Sequence, residues 1–176
     1  MDLHERCQRD DFVGEALRVE GGHGARTRVV DEPLDGYAAT LEDRGWTVAR
    51  VEARAGQGLR ELVVDALQLP VADLVRPRAS GRVSTVVAAW RDFARPVLDA
   101  RATGQAPSDE LQLEEDLHGL LLTMVQAAAA QGVGVGLLID NASGLSAADL
   151  ATVVSLSART ESARWPLQIM LAGLHT

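Results

Sequence analysis

Apolar residues recur along this chain with two periods, and the switches between them predict helices alternating with strands. From Asp35 to Arg44 the positions Tyr37, Ala38 and Leu41 follow helical spacing, with Pro33 limiting the helix upstream and Gly45 supplying a left-handed stop. Trp46 to Ala53 largely alternates and predicts a strand. The turn Gly56-Gln57-Gly58 leads into a helix carrying Leu59, Leu62, Val63, Ala66 and Leu67 on one face, expected to end before Pro70. After the loop 76–81, Val86, Val87, Trp90, Phe93 and Val97 fit one amphipathic helix, with Pro96 a kink or stop.

Ser108 is a suitable N-cap for a long helix over Leu111 to Gln131, whose buried stripe is Leu113, Leu117, Leu120, Leu121, Met124 and Val125 and whose stop is Gly132. An apolar strand follows over Val133 to Ile139. Ser146-Ala147-Ala148-Asp149 then has the form of a capping box, opening a helix that runs to about Ala163. Pro166 to Gly173 predicts a last buried strand. Near the start of the chain the pattern is weaker: residues 1–15 give a loose leader or short helix, and Ala16 to Val19 a first strand before the Gly-rich segment Gly21-Gly22-His23-Gly24. Strands alternating with helices imply right-handed crossovers, and hence a layered α/β fold with a mostly parallel sheet and flanking helices.

Composition narrows this picture. A chain of 176 residues, 47% hydrophobic, can bury one full core, so a single domain over 1–176 is expected. Aromatics make up only 3%, which leaves Val, Leu, Ala and Ile to build the core and assigns Trp46, Trp90 and Trp165 to packing. A net charge of −8 argues against nucleic acid as a partner. Cys7 is the only cysteine, which excludes an intrachain disulfide and a Cys-rich zinc site and favours a reducing, cytoplasmic compartment. No export signal and no apolar run long enough to cross a membrane is found in the sequence.

The chemistry is concentrated at Gly134-Val135-Gly136-Leu137-Leu138-Ile139-Asp140-Asn141, a short apolar run ending in an acid. This segment resembles a Walker B strand, in which a buried parallel strand delivers an Asp to the Mg²⁺ shell and a following Glu polarises water. Here Asn141 stands in the Glu place. Together with Leu113-Glu114-Glu115-Asp116-Leu117, the helix opening Leu145-Ser146-Ala147-Ala148-Asp149-Leu150 and the strand ending Leu171-Ala172-Gly173-Leu174, it makes residues 114–174 similar to the P-loop ATPase domain of AAA+ and STAND-type proteins, in the origin-recognition-like branch common in actinobacteria. Leu34 to Ala38 and Arg44-Gly45-Trp46 resemble that family's first helix and second strand.

The resemblance implies ATP and Mg²⁺ as cofactors, with Asp140 holding the metal. It also exposes departures. All 17 basic residues are Arg, so no Walker A lysine exists. The best register for a phosphate loop is Gly22-His23-Gly24-Ala25-Arg26-Thr27, which puts Arg26 in the lysine place and Thr27 in the hydroxyl place. Arg is planar and bulky where a compact ammonium is needed, and Ala25 reaches positive φ at greater cost than glycine. Gly24, Arg26, Thr27, Asp140 and Asn141 are therefore the candidate nucleotide residues, against plain alternatives: a solvated loop for the first three, a loop-capping acid for Asp140 and a turn residue for Asn141.

Elsewhere the candidates are weaker. Ser143 and Ser146 lack a G-x-S-x-G elbow, and Ser80-Gly81-Arg82-Val83-Ser84-Thr85 lacks a preceding apolar strand and a lysine. The chain is expected to stop after the family's fourth strand, leaving a sheet edge for another protein chain, for self-association or for residues 1–20 of the same chain. The function implied is a catalytically inactive regulatory or interaction module. The alternatives are a weak Mg²⁺-dependent ATPase and a decayed fragment.

Overall fold

The computed structural model describes residues 26–30, 34–75, 83–104, 112–163 and 165–173. Its four strands are β1 (Arg26–Val30), β2 (Thr47–Glu52), β3 (Val135–Asp140) and β4 (Leu167–Ala172), and its five α-helices are α1 (Asp35–Asp43), α2 (Leu59–Val75), α3 (Val83–Thr103), α4 (Leu113–Ala129) and α5 (Ala147–Ser162). All neighbouring strands are parallel, in the order β1-β4-β3-β2. The layered α/β architecture expected from the alternating periods is thus what the chain forms.

Two apolar layers sandwich the sheet. Leu34, Ala38 and Leu41 of α1 pack with Leu138, Met170 and Ala172 on one face, and the remaining helices cover the other through Leu137, Ile139, Leu167, Ile169 and Leu171. This division follows from handedness. The chain runs from one sheet edge to the other between β1 and β2, then returns through β3 and β4, so right-handed crossovers place α1 on one face and the later helices on the opposite one. Apart from Gln168 and the terminal Asp140, both inner strands are apolar because both their faces are covered.

Helix ends follow local chemistry. Gly45 takes φ 76° after α1, while Trp46 N–H donates to Leu41 O at 3.0 Å and Gly45 N–H to Glu42 O at 2.8 Å, a Schellman closure. Gly132 closes α4 in the same way. The stripe predicted for α4 is buried at all six positions. At the head of α5, Ser146 Oγ accepts Asp149 N–H at 3.1 Å, the N-cap half of the expected capping box, and donates to Asp149 Oδ2 at 2.9 Å, a side-chain bond in place of the return bond to the backbone.

Two expectations are corrected. The helix expected to end before Pro70 continues to Val75, and α3 runs through Pro96. Each proline forfeits one backbone hydrogen bond, but burial of Val71 and Leu74 beyond the first, and of Val97 beyond the second, keeps the chain helical. The expected first strand at Ala16–Val19, the Pro33 boundary and the Ser108 cap lie outside the described residues. The first described strand is Arg26–Val30, a segment the sequence reading placed in a phosphate loop and its sequel.

Two contacts, one buried and one at the surface, tie the helical layer together. Arg60 of α2, only 5% exposed, donates to Phe93 O at 3.0 Å and to Asp116 Oδ2 at 2.6 Å, with its guanidinium over the Phe93 ring. It links α2, α3 and α4 at one point. On the outer side, Arg159 of α5 bridges Glu114 and Glu115 of α4.

Candidate functional site at the carboxyl ends of the strands

In an open α/β sheet, ligands bind beyond the carboxyl ends of the strands, where the connections leave for opposite faces. Here that point falls between β1, which feeds α1, and β3, which feeds α5 on the other face, with β4 between them. Asp140 and Asn141 stand there because β3 ends there.

Asp140 is the last residue of β3 and is exposed. Alternation from Leu138 turns its side chain toward the α1 face, beside its register partner Glu52 at the end of β2. Asp140 Oδ1 accepts the backbone N–H of Asn141 at 2.8 Å. Glu52 is in turn held by Arg54 at 2.9 Å, and the Glu52 carboxylate raises the Arg54 guanidinium above its ordinary pKa. Among the described residues no group of three His, Cys, Asp or Glu side chains is disposed to hold a metal ion.

Asn141 is in the left-handed region at φ 52°, ψ 43°, the only non-glycine residue with positive φ among those described. A short polar side chain that can bond locally makes Asn one of the few residues suited to that conformation. Its Nδ2 donates to Ala53 O at 2.9 Å, and its Oδ1 accepts from Ser143 Oγ at 3.3 Å. Asn141 thus fastens the loop after β3 to the loop after β2.

The same loop is fastened to β4. Ser143 N–H donates to Gly173 O at 3.1 Å, and a Cβ built on Gly173 would lie 3.0 Å from Asn141 Cα, with φ at 73°. Only glycine meets both conditions at no cost. Across the other side, a Cβ on Gly144 would come 3.0 Å from Ala53 O. The carboxyl ends of β2, β3 and β4 are thereby drawn into one backbone knot around Asn141.

The other sequence candidates are elsewhere. Arg26 and Thr27 belong to the amino end of β1, not to a loop, because Arg26-Thr27-Arg28-Val29-Val30 carries β-branched residues that suit a strand. Arg26 pairs with Gln168 and so lies level with Gly136, four residues before Asp140, or roughly 13 Å along the sheet. The structure therefore does not bring Arg26 and Thr27 together with Asp140 and Asn141. Gly24 lies outside the described residues. The connection that leaves β1 at the carboxyl edge is residues 31–34, Asp-Glu-Pro-Leu, and α1 opens Asp35-Gly36-Tyr37. In sequence neither offers the Gly-Lys-Ser/Thr that cradles phosphate, and α1 opens with the exposed carboxylate of Asp35.

Asn141 is the turn residue that its place directly after an apolar strand and before Ala-Ser-Gly signals, while its bonds to Ala53 O and Ser143 Oγ have no signal in the sequence. No family model matches this chain, and neither the curated proteins nor the solved structures provide a match.

Proposed function

We propose that this chain is a non-catalytic protein-interaction module on a P-loop-NTPase-like frame, cytoplasmic, with its nucleotide site given over to structure. The observation that supports this most is the knot at Asn141. At the position where a hydrolytic enzyme needs a carboxylate aimed at water, an amide in a left-handed turn is spent on Ala53 O and Ser143 Oγ. Beside it, Gly173 closes on Asn141 where strands would part for a ligand. A single acid, Asp140, keeps the form of a Mg²⁺ residue and uses one oxygen to cap its own loop. Among the described residues no helix is long and apolar enough to cross a membrane.

Calorimetric titration with ATP and ADP, with and without Mg²⁺, tests this reading. No heat is expected at millimolar nucleotide. Binding tighter than about 100 μM, weakened by Asp140→Ala, would overturn it in favour of a weak Mg²⁺-dependent ATPase.

A further inference from the structure

Strand β2 is an edge: among the described residues it pairs with β3 alone. Its hydrogen-bonding phase can be read from its ends. Thr47 N–H donates to Gly134 O at 3.0 Å and Ala53 N–H to Asp140 O at 2.9 Å, so odd-numbered residues face β3 and the backbone groups of Val48, Arg50 and Glu52 face outward. The side chains of Arg50 and Glu52 share the α1 face, where Arg50 reaches Asp35 and Glu42. Beside this edge runs a groove of about 740 Å³ whose apolar lining includes Trp46, Leu69, Pro70 and Leu74. Leu69 is 77% exposed, a large apolar side chain standing in water on the lip. A second groove of about 300 Å³ continues past Arg50, Glu52 and Arg54.

We infer that β2 is the interface of a two-fold dimer of this chain, in which two copies pair antiparallel through their β2 edges in a register centred on Val51. The occupant is a second copy because the edge is complementary to itself. An isologous pair brings a surface against its own image, so each charge must meet its opposite at a symmetry-related place. Centring on Val51 sets Arg50 of each copy opposite Glu52 of the other, twice over. The same register joins outward backbone groups to outward backbone groups, since residues 50 and 52 have the same phase. Registers centred on Arg50 or Glu52 would set like charges against each other, which destabilises a ladder. The result is one continuous sheet of eight strands, with the α2 helices side by side across the axis and Leu69 and Pro70 withdrawn from water. This rests on the interaction reading above, but it is tested without nucleotide, so either can fail while the other stands.

Sedimentation equilibrium of the full chain over ~5–500 μM is the first measurement, and a dimer is expected. Glu52→Arg or Arg50→Glu alone replaces both cross-strand pairs with like charges and should raise the dissociation constant about tenfold. An equimolar mixture of the two variants should recover association as a heterodimer, because the opposite charges then face each other again. Circular dichroism establishes that each variant is folded. If Arg50→Glu does not fold, since Arg50 also anchors α1, hydrogen exchange of the unaltered chain decides: the Arg50 and Glu52 amides should become protected as concentration rises. A monomer throughout the range, a dimer indifferent to Glu52→Arg, or a dimer in which those amides exchange freely would overturn the inference.

Discussion

At the scale of single residues, Asn141 shows how one amide side chain in a left-handed turn can hold two loops together. Its backbone is held where a side chain branched or charged near Cβ is strained, and its amide satisfies the carbonyl of Ala53. Asn141→Ala should lower stability by about 2 kcal/mol, from a left-handed backbone and an unpaired acceptor together. Asn141→Gly should cost less, because it keeps the turn and loses only the side-chain bonds. Urea unfolding of both variants checks the order, and Ala milder than Gly would contradict it. The sequence made a turn at Asn141 legible. What it could not show is the φ of 52° or the arrival of Ala53 from a segment 88 positions away.

At the scale of elements, the helices were legible where a periodic apolar face had a chemical stop. Gly45, Gly132 and the Ser146–Asp149 box ended or began α1, α4 and α5 as local rules require. The rules failed at Pro70 and Pro96, where tertiary burial outweighed a lost backbone bond, and burial is not a local property. The joint between helices was also illegible: nothing in the spacing of Arg60 announces that it will serve both Phe93 and Asp116. Arg60→Ala should destabilise the fold by about 2 kcal/mol, because its bonds and ring contact to α3 and α4 are lost and its buried site is left unfilled, while half-exposed Asp116 regains water. Thermal unfolding against the unaltered chain reads this, and a change within a few tenths of a kcal/mol would dissociate Arg60 from the packing of α2 on α3.

The outer joint between α4 and α5 carries a pH signature. The Arg159 guanidinium holds the Glu115 carboxyl below its ordinary pKa, first by hydrogen bonding and then by charge. A carboxyl depressed in the folded state adds stability above the usual carboxylate range, and that contribution disappears as pH falls through the lowered value. Arg159, raised by Glu115 and Glu114, stays charged throughout and adds no titration of its own. Stability should therefore decline on acidification below about pH 4.5, and less steeply in Glu115→Gln. Because the pair is fully exposed, the difference is expected to be small and to shrink in high salt.

For the molecule as a whole, the fold class followed from alternation of periods 3.6 and 2, since a sheet with both faces covered needs apolar strands such as Leu137-Leu138-Ile139 and Ile169-Met170-Leu171. Strand order was not legible, and neither was the start of β1, which decided the candidate site: because Arg26 and Thr27 open a parallel strand, they lie at the amino end of the sheet, remote from Asp140. The segment 26–30 was misplaced because two glycines and a threonine suggested a phosphate loop, while its Thr-x-Val-Val content suits a strand. Protection against exchange should follow burial: the amides of β3 and β4, in strands apolar on both faces, should be the slowest described, and those facing outward on β2 should become slow only if the copies pair.

The pairing of β1 with β4 has a consequence in time. Arg26 meets Gln168 and Val30 meets Ala172, so the earliest described strand has as its neighbour the latest. On a ribosome, β2, the helices and β3 can gather as they emerge, whereas β1 must wait on the order of ten to thirty seconds for its partner to be made. Through that interval the β1 segment is an unclaimed strand, and the nascent chain is most open to capture by a chaperone or a neighbouring polypeptide until β4 is complete.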